Sequence, residues 1–180
     1  MGLSAWILKR AGWKLTVSVP DYDKSIVVVA PHTSNWDFVV CMLASWAVGR
    51  KIGFLMKASW FFFPLNYLLK ALGGIPVPRK KHHGSLTDAV IEKFNRSSRL
   101  CIAITPEGTR SRTDKWHTGF LRIAAGAHVP ILLAAIDFPS RHIYLDKEFV
   151  PTGDIDADMR AIKDYYKSYT GRYPEKFCTD

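Results

Sequence analysis

Two rhythms of apolar residues run along this chain. Residues 25–30 (SIVVVA), 100–105 (LCIAIT) and 130–136 (PILLAAI) are short, unbroken apolar runs, as expected of strands buried on both faces of a sheet. Shorter runs at 14–19, 53–57, 75–77 and 143–145 read as further strands, and 36–48, 85–94, 119–127 and 154–169 read as helices. Strands alternating with helices predict a single α/β domain with a mostly parallel or mixed central sheet flanked by helices. No repeat, low-complexity tract or long linker divides it. The organisation expected is a lead-in over 1–20 and one domain over 21–180.

Two segments keep two readings each. A helix over residues 1–13 would set Leu3, Trp6, Ile7, Arg10 and Trp13 near one side, either to pack on the domain or to lie in a membrane interface. Residues 58–74 (ASWFFFPLNYLLKALGG) hold three consecutive phenylalanines, which cannot share one face of any regular element. They fill a core, or they line an acyl-chain groove or a surface that dips into a membrane.

Composition narrows the class. At 180 residues, 48% apolar and 23% charged, the chain suits one globular domain and excludes disorder and collagen. Its net charge of +9 favours an anionic partner: a phosphorylated ligand, a lipid headgroup or a nucleic acid. Cys41, Cys101 and Cys178 are odd in number and far apart, so neither a disulfide framework nor a zinc site is expected. Secretory and myristoylation patterns are missing at the N-terminus, and Pro31, His32, Asn35 and Asp37 interrupt the longest run without Lys or Arg, so no membrane span is expected.

The candidate chemistry lies just after the strands, where α/β sheets collect their ligands. In PHTSNWDF (31–38), His32 is a candidate general base and Asp37 a candidate orienting acceptor for its second nitrogen. Five residues turn about 140° along a helix, so the pair requires His32 in a turn and Asp37 in the first turn of the helix that follows. Pro31 ends the strand, and Thr33, Ser34 and Asn35 are good helix caps. Six histidines and twelve aspartates give roughly 0.4 such spacings by chance, and a second one, His83 to Asp88, does occur. Asp37 stands apart as the only formal charge between Lys24 and Arg50, an acid that needs a partner in so apolar a stretch.

Two further segments invite an anion. In GGIPVPRKKHHG (73–84), Arg79 follows a short strand and offers a bidentate grip on phosphate. In LCIAITPEGTRSR (100–112), Gly108 exposes backbone N–H groups and Arg110 adds charge, while Glu107 is either a ligand residue or an organiser of the turn. P-loop, nucleophile-elbow, dinucleotide and zincin patterns are all missing.

In order, His32-x-x-x-x-Asp37, GGIPVPR, PEGTR and Val129-Pro130-Ile131 resemble the four blocks of the glycerolipid acyltransferase family, which includes 1-acylglycerol-3-phosphate acyltransferases. The likeness covers roughly residues 26–136. It departs at Pro31, where many members have Asn, and at Pro78, where they have a polar or acidic residue. The resemblance implies transfer of a fatty acyl group from acyl-CoA or acyl carrier protein to the hydroxyl of a lysophospholipid, with no metal and no bound cofactor. It implies His32 as base, Asp37 as its orienting carboxylate, Arg79, Glu107, Gly108, Thr109 and Arg110 as binders of the acceptor's phosphate, and Pro130 as a shaper of the pocket. It also places His83 outside the catalytic block. A peripheral protein on the cytoplasmic face of the cell membrane is then expected. Acylation of another lysolipid is the alternative, and a non-catalytic lipid- or nucleic-acid-binding protein the more distant one; aromatics set in apolar runs argue against nucleic acid.

Overall fold

The computed structural model describes residues 2–77 and 85–179. Its elements run α1 (Leu3–Arg10), β1 (Lys14–Val17), β2 (Lys24–Ala30), α2 (Asn35–Ala47), β3 (Ile52–Lys57), α3 (Leu65–Ala71), β4 (Gly74–Val77), α4 (Leu86–Arg96), β5 (Leu100–Ile104), α5 (Gly119–Ala127), β6 (Ile131–Asp137), β7 (His142–Phe149) and α6 (Ile155–Tyr166). Seven strands form one mixed sheet in the order β1-β7-β6-β2-β5-β3-β4. All neighbours are parallel except β6 and β7, so β2 to β6 point the same way and end on one edge.

β2 is central because both of its faces are apolar. Ile26, Val28 and Ala30 pack under α4, α5 and α6 with Phe94, Phe120 and Ile162, while Val27 and Val29 face the other way with Leu132, Ala134 and Ile136. α2 covers that second face, and Leu8 of α1 packs behind it on Val40, Ala44 and Ile143. The N-terminal helix therefore packs on the domain, and β1 is built into the sheet beside β7.

Two elements differ from expectation. The strand expected over 143–145 is eight residues long and antiparallel to β6, because the chain reverses at once through Phe138–Arg141, where Arg141 takes a left-handed conformation and its N–H bonds the Phe138 carbonyl. Residues 65–71 form a helix that gives little periodic signal, since Leu69 is its one buried side chain.

Candidate active site

At the end of β2 the chain turns through Pro31, places His32 in the loop, and enters α2 with Asp37 in its first turn. The turn is built around the Asp37 carboxylate. Oδ2 accepts from the backbone N–H groups of Thr33 at 2.6 Å and Ser34 at 2.7 Å, and Oδ1 accepts from Ser34 Oγ at 2.7 Å. His32 Nδ1 stands 3.3 Å from the same Oδ2. Asp37 is only 1% exposed. Burial pushes its pKa up, but the His32 side chain and the Ser34 backbone and hydroxyl outweigh it and hold the carboxyl below its ordinary value. An ionised acceptor on Nδ1 favours the tautomer with its proton there, leaving Nε2 as the basic nitrogen.

Because β5 is hydrogen-bonded beside β2, its following loop arrives next to His32. Glu107 Oε1 accepts the His32 backbone N–H at 2.7 Å, so a second carboxyl group holds the histidine by its main chain. Glu107 is 3% exposed, and burial raises its pKa to about 7 against the pull of that N–H. Gly108 follows at φ +64°, where a Cβ would stand 2.5 Å from the His117 ring, so the turn requires glycine.

His32, Asn35, Phe38, Met56, Gly108 and Arg110 are among the residues lining a cleft of about 740 Å³. Its inner wall, at Val29, Phe38, Cys41, Phe54 and Ala103, also bounds a small apolar cavity of about 90 Å³ between α2 and the sheet. One end therefore offers a base and a guanidinium, the other hydrocarbon. The Cys41 thiol on that wall is pushed up to about 12, first by burial and then by the Asp37 charge, so it stays protonated near neutrality.

The remaining sequence candidates fall in different places. Thr109 is exposed, and its Oγ1 accepts from Ser111 N at 3.1 Å within the same turn. Arg79 and His83 lie outside the described residues. Asp88, the partner in the second His-to-Asp spacing, is exposed and caps α4 through Ser85 N and Oγ. Contrary to its expected role in shaping the pocket, Pro130 is not brought to the cleft: it precedes β6 at the opposite edge of the sheet, where its carbonyl accepts Ile26 N at 3.0 Å. A support that sequence reasoning missed comes from the C-terminal segment. Gly171 is buried against Thr33 and Pro31, and Tyr173 N donates to Thr33 Oγ1 at 3.2 Å.

Comparisons with known proteins bear on this geometry. A family model described as Acyltransferase matches residues 14–137. A comparison with curated proteins gave no match. Among solved structures the fold is similar to the 1-acyl-sn-glycerophosphate (LPA) acyltransferase PlsC from Thermotoga maritima, with a TM-score of 0.56 and 19% sequence identity, over 92% of this chain and 77% of that one.

Proposed function

Because the chain belongs to the acyltransferase family, we propose that this acyltransferase moves a fatty acyl group from acyl-CoA or acyl carrier protein to the free hydroxyl of a lysophospholipid. 1-Acylglycerol-3-phosphate is the acceptor that best suits a cleft with Arg110 at its rim. His32 Nε2 takes the hydroxyl proton as the oxygen attacks the thioester carbon. The new C–O bond forms, the C–S bond breaks, and the imidazolium returns its proton to the departing thiolate. Asp37 holds the ring by Nδ1 and stabilises the transient imidazolium. A thioester is already activated, and Cys41 is protonated, so direct transfer without an acyl-enzyme is the simpler course.

The observation that carries this reading is the His32–Asp37 pair at a cleft that is cationic at one end and apolar within. Arg110, with Arg79, would take the acceptor's phosphate, and the apolar wall would take an acyl chain. Lysophospholipids reside in bilayers, so the protein works at a membrane surface. Among the described residues no helix is long and apolar enough to cross one. The test is lipid mass spectrometry on purified protein with both thioester donors and a panel of lysolipids, comparing wild type, His32→Ala and His83→Ala. Product lost in His32→Ala and kept in His83→Ala is expected; full activity in His32→Ala overturns the mechanism.

A further inference from the structure

A bilayer-working enzyme needs a surface that grips the bilayer. Trp60, Phe62, Phe63, Tyr67 and Leu68, between β3 and β4, are each between 53% and 80% exposed. Five large apolar side chains left in water within nine residues cost free energy unless something covers them. The segment is nonetheless built firmly. Leu69 is buried, Phe61 packs onto Gly74, and a Cβ on Gly74 would stand 2.7 Å from the Leu69 carbonyl, so the backbones meet closely. Phe63 and Tyr67 meet edge to face at 6.3 Å, forming one ridge.

Charge says what covers the ridge. The fifty residues from Phe38 to Thr87 contain no Asp or Glu and seven Lys or Arg, which is most of the net +9 of the whole chain. Lys57 and Lys70 are exposed on either side of the aromatic residues. Exposed apolar side chains with a lysine on either side and no carboxylate in the segment fit an anionic bilayer, with rings at headgroup depth and amines on lipid phosphates. A second copy would bring the same positive charge to the contact. The position fits as well. β3 ends on the edge that carries His32, and Leu55 and Met56, just before the ridge, line the cleft.

We infer that residues 60–68 are the element that seats the protein on an anionic lipid surface, opening the His32 cleft beside the headgroups. α1, which also exposes Leu3 and Trp6 but packs on α2, has the lesser part. The inference rests on the lysolipid reading above, because that reading supplies the bilayer.

Vesicle sedimentation tests it, with phosphatidylcholine alone and with about one-third phosphatidylglycerol. Wild type should bind the anionic vesicles and let go in about 0.5 M salt. The double variant Phe62→Ser/Phe63→Ser should lose at least about tenfold in partitioning, because two exposed phenyl rings no longer enter the interface. Leu3→Ser/Trp6→Ser should change it less than about threefold. All four positions are exposed, so folding is preserved, and a thermal melt checks it. Equal binding by the Phe62/Phe63 variant overturns the inference, as does a larger loss in the α1 variant. A wild-type dimer in light scattering that the Phe62/Phe63 substitutions dissolve, with no vesicle binding, assigns the ridge to a second copy instead. Acylation of a short-chain, monomeric lysophosphatidate separates the two claims. The Phe62/Phe63 variant should retain wild-type kcat there, whereas failure of wild type to acylate any lysolipid, with the vesicle results as expected, sinks the lysolipid reading and leaves the docking surface standing.

Discussion

Asp37 and Asp88 stand in the same spacing after a histidine and both cap a helix, yet one is buried and the other exposed. Asp37→Asn removes the charge that faces His32 and puts an amide where two backbone N–H groups expect an acceptor. It should lower kcat by about 10²- to 10⁴-fold, and it should cost roughly 1–3 kcal/mol in denaturant unfolding. Asp88→Asn should leave kcat within about twofold, since only an exposed cap changes. Equal losses in the two variants would remove Asp37 from its assigned role. Glu107 gives a pH signature of its own. Its pKa is near 7 in the fold against an ordinary 4.5, so the folded chain binds this proton more tightly than the unfolded chain between those values. Its contribution to stability therefore falls as pH rises from about 4.5 to 7, the reverse of Asp37, whose lowered pKa adds stability above the ordinary carboxylate value and loses it as pH falls through the folded one. Glu107→Gln keeps an acceptor for the His32 N–H and abolishes the titration. Between pH 5 and 8 the wild type should lose stability relative to this variant on the order of 3 kcal/mol, read by urea unfolding. Parallel curves would mean that Glu107 is ionised throughout. The His32–Asp37 pair was legible because the partners lie only five residues apart, across one strand-to-helix connection, and a buried acid needs company. The hold of Glu107 on His32 was not, since it joins residues 75 apart whose meeting depends on β5 lying beside β2.

Among elements, the apolar strands were the easiest to read, because β2 and β6 bury both faces, β5 packs apolar side chains on both, and none needs a partner to reveal it. β7 was harder, since its burial alternates and its polar residues mask its length. α3 turns outward nearly everywhere and carries almost no periodic signal. The segment that closes over the His32 loop was the least legible, for Gly171 looks like any loop glycine until Thr33 is seen against it. A Cβ at residue 171 would stand 2.8 Å from both Thr33 Cγ2 and Thr33 Oγ1, and 3.1 Å from Pro31. Gly171→Ala must therefore move the turn that aims His32. Activity should fall at least about tenfold, because a misplacement near 1 Å at a reacting group is costly, while Tm should drop by only a few degrees. Gly49→Ala is the control: it also lies in a loop, with nothing within 4 Å of the added Cβ, although its φ of +71° brings its own strain. Unchanged kcat in Gly171→Ala would show that the turn tolerates the displacement.

At the scale of the molecule, the family match ends at residue 137, yet the site leans on residues beyond it. α6 follows β7 and sends Tyr166 back to the centre of the sheet, where its hydroxyl donates to the Val28 carbonyl at 2.7 Å. The chain then passes the His32 loop at Gly171 and Tyr173 and reaches the loop after β5. There Trp116 Nε1 donates to the Cys178 carbonyl at 3.1 Å, the Trp116 ring lies 6.0 Å from that of Phe177, and Arg112 Nη1 reaches the Glu175 and Phe177 carbonyls at 3.4 Å. The one segment from Gly171 to Cys178 thus touches both loops that frame the cleft, the one carrying His32 and the one carrying Glu107 and Arg110. A chain ended after Tyr169 keeps α6 and the whole sheet but gives up these contacts and uncovers Trp116. The loss should be about 3 kcal/mol from the hydrogen bonds and ring packing together, or about 6–12 °C in Tm for a domain of this size. If the segment only adds stability, kcat measured well below the new Tm should return to wild type. If it positions the loops, kcat should stay at least about tenfold low at every temperature while the far-ultraviolet spectrum remains that of the folded sheet. The contacts of Gly171 and Tyr173 with Thr33, one residue from the base and four from its carboxylate, argue for the second outcome.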